Sequence, residues 1–439
     1  MALPEKLPSD LTDCGGLPPP MVRLREMGVY ERLYYLCSLD HPKQFSIAAE
    51  IDGDLPLQEL PHAFARLQRR HPLLNVEIHD QSAFGGRPRP AFYISDHPIE
   101  VALRPLVDDD DWMREIEYQQ VLPLASAPGP LMRATVFHRP GRAQILLTFH
   151  HAIADGMSAV FVLRDLVAAL AGQHIGLLSS RPSCDTLTVM HPEFTRSCDP
   201  KPPQKLDADA LRAIGAEASR QASLAGRPSV KAVALDKVLT RRLREKARTQ
   251  GTTVHGALSA AQTLSGYEQR PGIPYTIVSP LDLRELLGVN DESCGVYIGV
   301  SRHVHLASNQ ESFWALARQA TDEIALAKNI TATSKFMKSV MTNLPASAQP
   351  DLAMGLMTAR HRDAMISNLG RLSIRQVFGD LRISAVWGPV YHAQAPQSRF
   401  LGAATVGCCL RLVETTPSGT MPLLGSVRQW LEVATTLSA

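Results

Sequence analysis

The sequence predicts a mixed α/β protein organised as two domains, and three observations carry that expectation. The chain has 439 residues, and beyond about 250–300 residues a single hydrophobic core stops growing and chains divide. Short apolar runs of strand length alternate with longer stretches in which apolar residues recur at threes and fours. Between Gly172 and Val230 both patterns decay into breaker-rich phrases, Ser179-Ser180-Arg181-Pro182-Ser183 and Pro200-Lys201-Pro202-Pro203, with one helical interval from Asp207 to Leu224. The expected division is a first unit over 1–172, a connection over 173–229 and a second unit over 230–439.

In the first unit the Pro- and Gly-rich start, to about Met27, reads as extended, and Tyr30 to Leu36 as the first element packed on a core. Phe45 to Ile51 alternates as a strand and stops at Asp52-Gly53. Leu57 to Arg70 places Leu60, Phe64 and Leu67 on one helical face, with Pro61 tolerable because it falls near the first turn. His71-Pro72 ends that helix and Leu74 to Ile78 follows as a strand. After the Arg87-Pro88-Arg89-Pro90 loop, Ala91 to Ile94 reads as a strand, Trp112 to Gln120 as a helix opened by the acidic turn Asp108 to Asp111, and Leu131 to Phe137 as a strand. In the second unit, Val230 to Leu235 reads as a strand, and Thr240 to Gln250 as a helix closed by Gly251. Thr252-Thr253 caps a helix over Val254 to Tyr267, in which Ala257, Ala260 and Ala261 permit close packing. Cys408-Cys409 reads as a core pair within an apolar strand.

Composition narrows the function. A formal net charge of +2 lacks the basic excess of a nucleic-acid binder. Seven cysteines, odd in number and without metal-ligand or framework spacing, fit a reducing, cytoplasmic setting. The start lacks a signal-peptide pattern, and no apolar run approaches a membrane span, since Arg164 and Asp165 interrupt even Ala159 to Leu170.

The chemistry concentrates at Phe149-His150-His151-Ala152-Ile153-Ala154-Asp155-Gly156. The run Gln144 to Phe149 is short and apolar, as a buried strand is, and Val160, Leu163, Val167 and Leu170 beyond it keep helical spacing. A strand that delivers two histidines into a turn before a helix sets an imidazole at the mouth of a sheet, where a general base can meet a ligand. The plainer reading makes both histidines half-buried packing residues and Asp155 a helix N-cap. A metal site would need further ligands, and no His-Glu-x-x-His or Cys-x-x-Cys is present.

His-His-x-x-x-Asp-Gly resembles the signature of the condensation-domain superfamily of CoA- and carrier-dependent acyltransferases, which includes chloramphenicol acetyltransferase, plant BAHD enzymes and the polyketide-associated acyltransferases of mycobacteria. Arg69-Arg70-His71-Pro72-Leu73-Leu74, Gly251 to Leu258, Ile277 to Arg284, Cys294 to Gly299 and Ile366-Ser367-Asn368-Leu369-Gly370 are similar to segments of the same enzymes. The BAHD Asp-Phe-Gly-Trp-Gly is reduced here to Trp387-Gly388. The resemblance implies two chloramphenicol acetyltransferase-like subdomains with an active-site tunnel between them. It implies His151 as general base, His150 in support, Gly156 in a tightly closed turn and Asp155 paired with Arg284 from the other half. Ser367 or Asn368 would donate to the developing oxyanion, although a plain turn capped by Asn accounts for that string equally.

The implied reaction moves an acyl group from an acyl-CoA or acyl carrier protein thioester to a hydroxyl, with the phosphopantetheine thioester as substrate and no resident cofactor or metal. A stand-alone condensation enzyme acting on an amine, and a docking module without catalysis, are the alternatives. Arg241, Arg242, Arg244, Lys246 and Arg248 on one helix would suit an acidic carrier protein, or form an ordinary solvated face.

Overall fold

Two six-stranded sheets hold the chain, and the N-terminal sheet borrows two of its strands from the C-terminal half. The computed structural model describes residues 21–80, 89–194, 203–305, 312–392 and 398–436. The first twenty residues, Arg87-Pro88, Cys14, Cys198 and Pro200-Lys201-Pro202 lie outside the described residues.

The first sheet runs in the order Val377–Phe378, Leu381–Tyr391, Gln44–Asp52, Arg142–His150, Met132–Arg139 and Glu100–Pro105. Its pairs are antiparallel except the last, which is parallel. The motif strand, Arg142–His150, lies near the middle and pairs with Gln44–Asp52 from Arg142 opposite Asp52 to His150 opposite Gln44. The second sheet runs Ile298–His305, Tyr275–Asp282, Ala364–Arg371, Arg399–Val406, Cys409–Thr416 and Ser229–Leu235. A small sheet of Arg23–Glu26, Ala91–Ile94 and Val76–His79 flanks the first. The fold is mixed α/β, with two main sheets in two subdomains.

The expected alternation over Phe45 to Ile51 is not the burial observed, because Gln44–Asp52 is buried on both faces for most of its length. Ile47, Ala49 and Ile51 join the large core, together with Ile145, Leu147 and Phe149 of the motif strand. The opposite face, through Ala48 and Leu146, packs with Trp112 and Ile116 of the helix Asp111–Gln119 and with Val230 and Val413 of the second sheet. A half-buried strand alternates in polarity, but a central strand covered on both sides has no solvent face to make polar.

The helix Leu60–Arg70 begins with Pro61 in its first turn and packs on the motif helix, Gly156–Leu170. Asp165 accepts from Arg70 Nε and lies 2.9 Å from His71 Nε2, tying the two helices together. The helix Val254–Gln269 is capped by Thr253 and buries Ala257, Ala260 and Ala261 against the second sheet. The interval read as a connection holds the helix Ala208–Leu224 and a short one, Cys184–Met190, that sequence reasoning missed. Cys408-Cys409 is not a core pair: Cys408 is exposed in the turn before Cys409–Thr416, with φ of +67°, and Cys409 is half-buried. A tight connection between antiparallel strands interrupts the apolar run there. Among the described residues no helix is long and apolar enough to cross a membrane, and no three His, Cys, Asp or Glu are grouped to hold a metal ion.

Candidate active site

The site is a turn held at both ends. Its first end is the ladder itself: His150 N–H donates to Leu131 O, and His151 N–H donates to Lys43 O at 2.8 Å, continuing the pairing one residue past the motif strand. Its second end is the helix that starts at Gly156, whose N-cap is Asp155, accepting from Ser158 N–H at 2.9 Å.

Within the turn the histidines differ. His150 is buried, and its Nδ1 accepts from Ala152 N–H at 3.0 Å, so this ring braces the turn from inside. Burial, with the neighbouring His151, pushes its pKa down to about 3, keeping it neutral. His151 is half-buried, and its Nδ1 lies 3.0 Å from Ala154 O. A carbonyl oxygen can only accept, so this hydrogen bond places the proton on Nδ1 and the lone pair on Nε2. Three aromatic rings surround the imidazole. Tyr34 stacks on it at 4.0 Å and 11°, Phe45 is tilted at 4.9 Å, and Tyr391 meets it edge-on at 5.8 Å. Burial brings its pKa down to about 4, against the opposing effects of its backbone hydrogen bonds and the Asp155 charge.

Asp155 faces the other subdomain. Its Oδ2 accepts from Arg284 Nη1 at 2.8 Å and from Tyr297 N–H at 2.9 Å, while Oδ1 accepts from Arg284 Nη2 at 2.9 Å and from Ser158 N–H. Burial alone would raise this carboxyl, but the Arg284 guanidinium and the two N–H donors outweigh it and hold the group below its ordinary value. Asp155 is thus both the N-cap of the plainer reading and the partner of Arg284. Arg284 also donates to Ser158 Oγ, which in turn donates to Gly295 O and accepts from Gly295 N–H. Gly156 does not have the left-handed backbone that a tightly closed turn would suggest. Its lack of a side chain serves a close approach instead, since a Cβ there would lie 2.7 Å from Leu369 Cδ2.

Ser367 and Asn368 stand on Ala364–Arg371 just before Leu369, so that strand end reaches the start of the motif helix. Asn368 Oδ1 accepts from Gly370 N–H at 2.8 Å, the local turn bond of the plainer reading. Among the described residues no hydrogen bond joins either side chain to His151. The aromatic enclosure and Ser158 were not anticipated. Tyr34 sits within a segment read from sequence only as core, and nothing local pairs it with Tyr391, more than three hundred residues along the chain.

The turn thus carries a neutral imidazole and is clamped by Arg284 from the opposite subdomain. The comparisons with known proteins give the family. Residues 30–182 match the model for the condensation domain, and residues 225–408 match that for the phthiocerol/phthiodiolone dimycocerosyl transferase C-terminus. The chain belongs to the condensation-domain superfamily, with a second half of that transferase type.

Similar solved structures include polyketide synthase associated protein 5 from Mycobacterium tuberculosis, with TM-score 0.66 at 15% identity, covering 95% of this chain and 99% of that one. The first condensation domain of the CDA synthetase gives 0.64 at 16%, covering 94% and 96%. Among curated proteins, chondramide synthase cmdD of Chondromyces crocatus is 27% identical over 254 residues, 52% of this chain but 6% of that protein. Phosphinothricin tripeptide synthetase PhsC of Streptomyces viridochromogenes is 28% identical over 172 residues, 37% of this chain and 15% of its own length. This chain therefore spans a small part of the curated relatives it matches.

Proposed function

We propose that this protein transfers an acyl group from a CoA or carrier-protein thioester to a hydroxyl, forming an ester, with His151 as general base. The observation that carries the reading is the hydrogen bond from His151 Nδ1 to Ala154 O, which leaves Nε2 as the proton acceptor. The acceptor hydroxyl loses its proton to Nε2 as its oxygen attacks the thioester carbonyl. The imidazolium then protonates the departing thiolate when the tetrahedral intermediate collapses. Transfer is direct, with both substrates bound and no covalent enzyme intermediate. Asp155 and Arg284 fix the turn that carries His151, and Ser367 or Asn368 Nδ2 is the proposed donor to the oxyanion.

The match of residues 225–408 to the dimycocerosyl transferase C-terminus favours a hydroxyl acceptor. The match of residues 30–182 to the condensation domain, together with the 28% identity over 172 residues to a tripeptide synthetase, supports the second reading, amide formation from an amine. Arg241, Arg242, Arg244 and Arg248 are exposed along Lys237–Thr249, which suits an acidic carrier protein as donor.

The test is mass spectrometry of products after incubating the protein and its His151→Ala variant with several acyl-CoAs and pooled alcohols and amines. The expected result is an acylated alcohol made by the unmutated protein alone. An acylated amine would select the second reading. Equal product from a folded variant would remove His151 from the mechanism, and no product with any free thioester would point to a carrier-bound donor or to docking without catalysis.

A further inference from the structure

A row of packed aromatic rings runs through the site. Phe336 meets Tyr30 at 5.4 Å, Tyr30 meets Tyr34 at 6.4 Å, Tyr34 stacks on His151 at 4.0 Å, and Tyr391 meets the imidazole at 5.8 Å. Tyr30 and Tyr34 lie one turn apart on the helix Val29–Ser38. That helix is tied down at its start by Glu31, whose Oε2 accepts from Arg25 Nη1 and from Gly28 N–H, each at 2.7 Å. Arg32, on the same helix, donates to Pro345 O at 2.9 Å in the second half of the chain. The Tyr34 ring is therefore fixed against His151 before any substrate arrives, as a group that acts on a transition state must be.

The polar tips of these rings are not alike. Tyr30 Oη is sealed from solvent and without a partner among the described residues. In the second subdomain Tyr267 Oη donates to His305 O, Tyr297 Oη donates to Pro182 O, and Tyr275 Oη accepts from Gln262 Nε2. Tyr34 Oη, Tyr391 Oη and His151 Nε2 differ from both groups: among the described residues none of the three is hydrogen-bonded, and none is sealed. The Nδ1 side of the imidazole is closed by the turn, through Ala154 O. The stacked pair thus opens on its Nε2 side. Rings 4.0 Å apart at 11° admit nothing between them, so the Tyr34 hydroxyl borders the space that Nε2 faces.

We propose that Tyr34 is a catalytic residue whose hydroxyl donates a hydrogen bond to the oxyanion of the tetrahedral intermediate, beside the donor on Ala364–Arg371. The inference rests on the acyl-transfer reading and adds a donor from the first subdomain. An oxygen that gives its proton to Nε2 lies near the imidazole plane, and the carbonyl carbon it attacks lies to one side of that plane. A ring stacked parallel to the imidazole carries its hydroxyl on such a side. Burial pushes the Tyr34 phenol up, so it is protonated at neutral pH and can donate to an anion. Its proton stays on the phenol throughout. The charge it faces forms when the acceptor oxygen bonds to the thioester carbon, and disappears when the thiolate leaves. Tyr391 is farther from the imidazole and more deeply enclosed.

Phenylalanine removes the hydroxyl and keeps the ring, so the stack on His151 survives. With the acyl-CoA and acceptor that give most product, Tyr34→Phe should lower kcat about a hundredfold or more and leave KM within about twofold. The pH–rate profile should keep its shape, because the ring still shields the base. Tyr30→Phe, which takes a sealed hydroxyl out of the same row, should leave kcat unchanged. An unchanged kcat in Tyr34→Phe, a loss confined to Tyr391→Phe, or a raised KM at constant kcat, the mark of ground-state anchoring, would overturn the proposal. Should no thioester turn over, calorimetric titration with methyl octylphosphonate, a tetrahedral monoanion shaped like the intermediate, decides the matter independently of catalysis. Binding weakened about tenfold or more in a folded Tyr34→Phe variant, and not in Tyr30→Phe, upholds the hydroxyl as an anion donor while the acyl-transfer reading fails. No binding, or binding untouched by Tyr34→Phe, sinks the donor too.

Discussion

His151 is set up by opposing effects that can be separated by mutation. Burial in an aromatic enclosure pushes its pKa down to about 4, while hydrogen bonding to Ala154 orients the free lone pair outward. At neutral pH the ring is then almost wholly in the basic form, and kcat/KM should stay level through neutrality and fall only on an acid limb near pH 4. Replacing Tyr34 with Leu admits water to one face of the ring, and the acid limb should move upward, toward the ordinary imidazole value of about 6.5. A pH–rate profile of the two proteins checks this, and an unmoved limb would show that Tyr34 does not shield the base. His151→Ala should cost about 10²–10⁴ in kcat/KM, the usual worth of a general base, with the melting temperature little changed. The Asp155 and Arg284 pair behaves otherwise. Removing either partner strands a buried charge, so Arg284→Ala should lose about 3–5 kcal/mol of stability, read from denaturant titration. Of these residues the sequence displayed the motif and, through family resemblance, the pairing of Asp155 with Arg284. It could not display the rings around His151, because Tyr34, Phe45 and Tyr391 meet only after three separate segments have packed.

Among the elements, legibility followed locality. The helices Gly156–Leu170 and Val254–Gln269 could be read from spacing and caps, since a helix makes its hydrogen bonds within a few residues. The strand Gln44–Asp52 was located correctly but misread in its burial, because the cover on its second face comes from Trp112, Ile116 and the other sheet. The short pieces Glu100–Pro105 and Cys184–Met190 went unread, having too few residues to establish a period. The meeting of the strands Leu381–Tyr391 and Arg399–Val406 is equally invisible in sequence, and it depends on Gly402, where a Cβ would overlap the Pro389 carbonyl oxygen. Backbone cannot yield as a flexible side chain does. Gly402→Ala should therefore destabilise by about 1–3 kcal/mol, while Gly141→Ala, in open space, should suffer only the strain of its φ of +75°. Thermal melts of both variants provide the comparison, and a harmless Gly402→Ala would mean that the two sheets can separate slightly at no cost.

At the scale of the whole molecule, acid sensitivity follows from histidines distributed through both subdomains. Burial lowers His150 and His303 to about 3 and His151, His255 and His392 to about 4. A depressed folded-state pKa means that the unfolded chain binds protons first. The contribution of these groups is full above the unfolded value of about 6.5 and is lost as pH falls toward 4. The midpoint of urea unfolding should accordingly drop between pH 6.5 and 4 and stay steady above pH 7. His303→Asn should lessen that drop, since both His303 ring nitrogens lie buried without partners among the described residues.

The loan of Leu381–Tyr391 to the first sheet has a further consequence, for the chain as a thread. Following the polypeptide from end to end, one enters the first subdomain, leaves it, and returns to close its sheet before finishing in the second. The subdomains are laced together, and the peptide between them is not their hinge pin. A protease cut within the former connecting stretch, for example after Lys205, should leave both fragments co-eluting on a sizing column at the mass of the intact chain, and they should part only in denaturant.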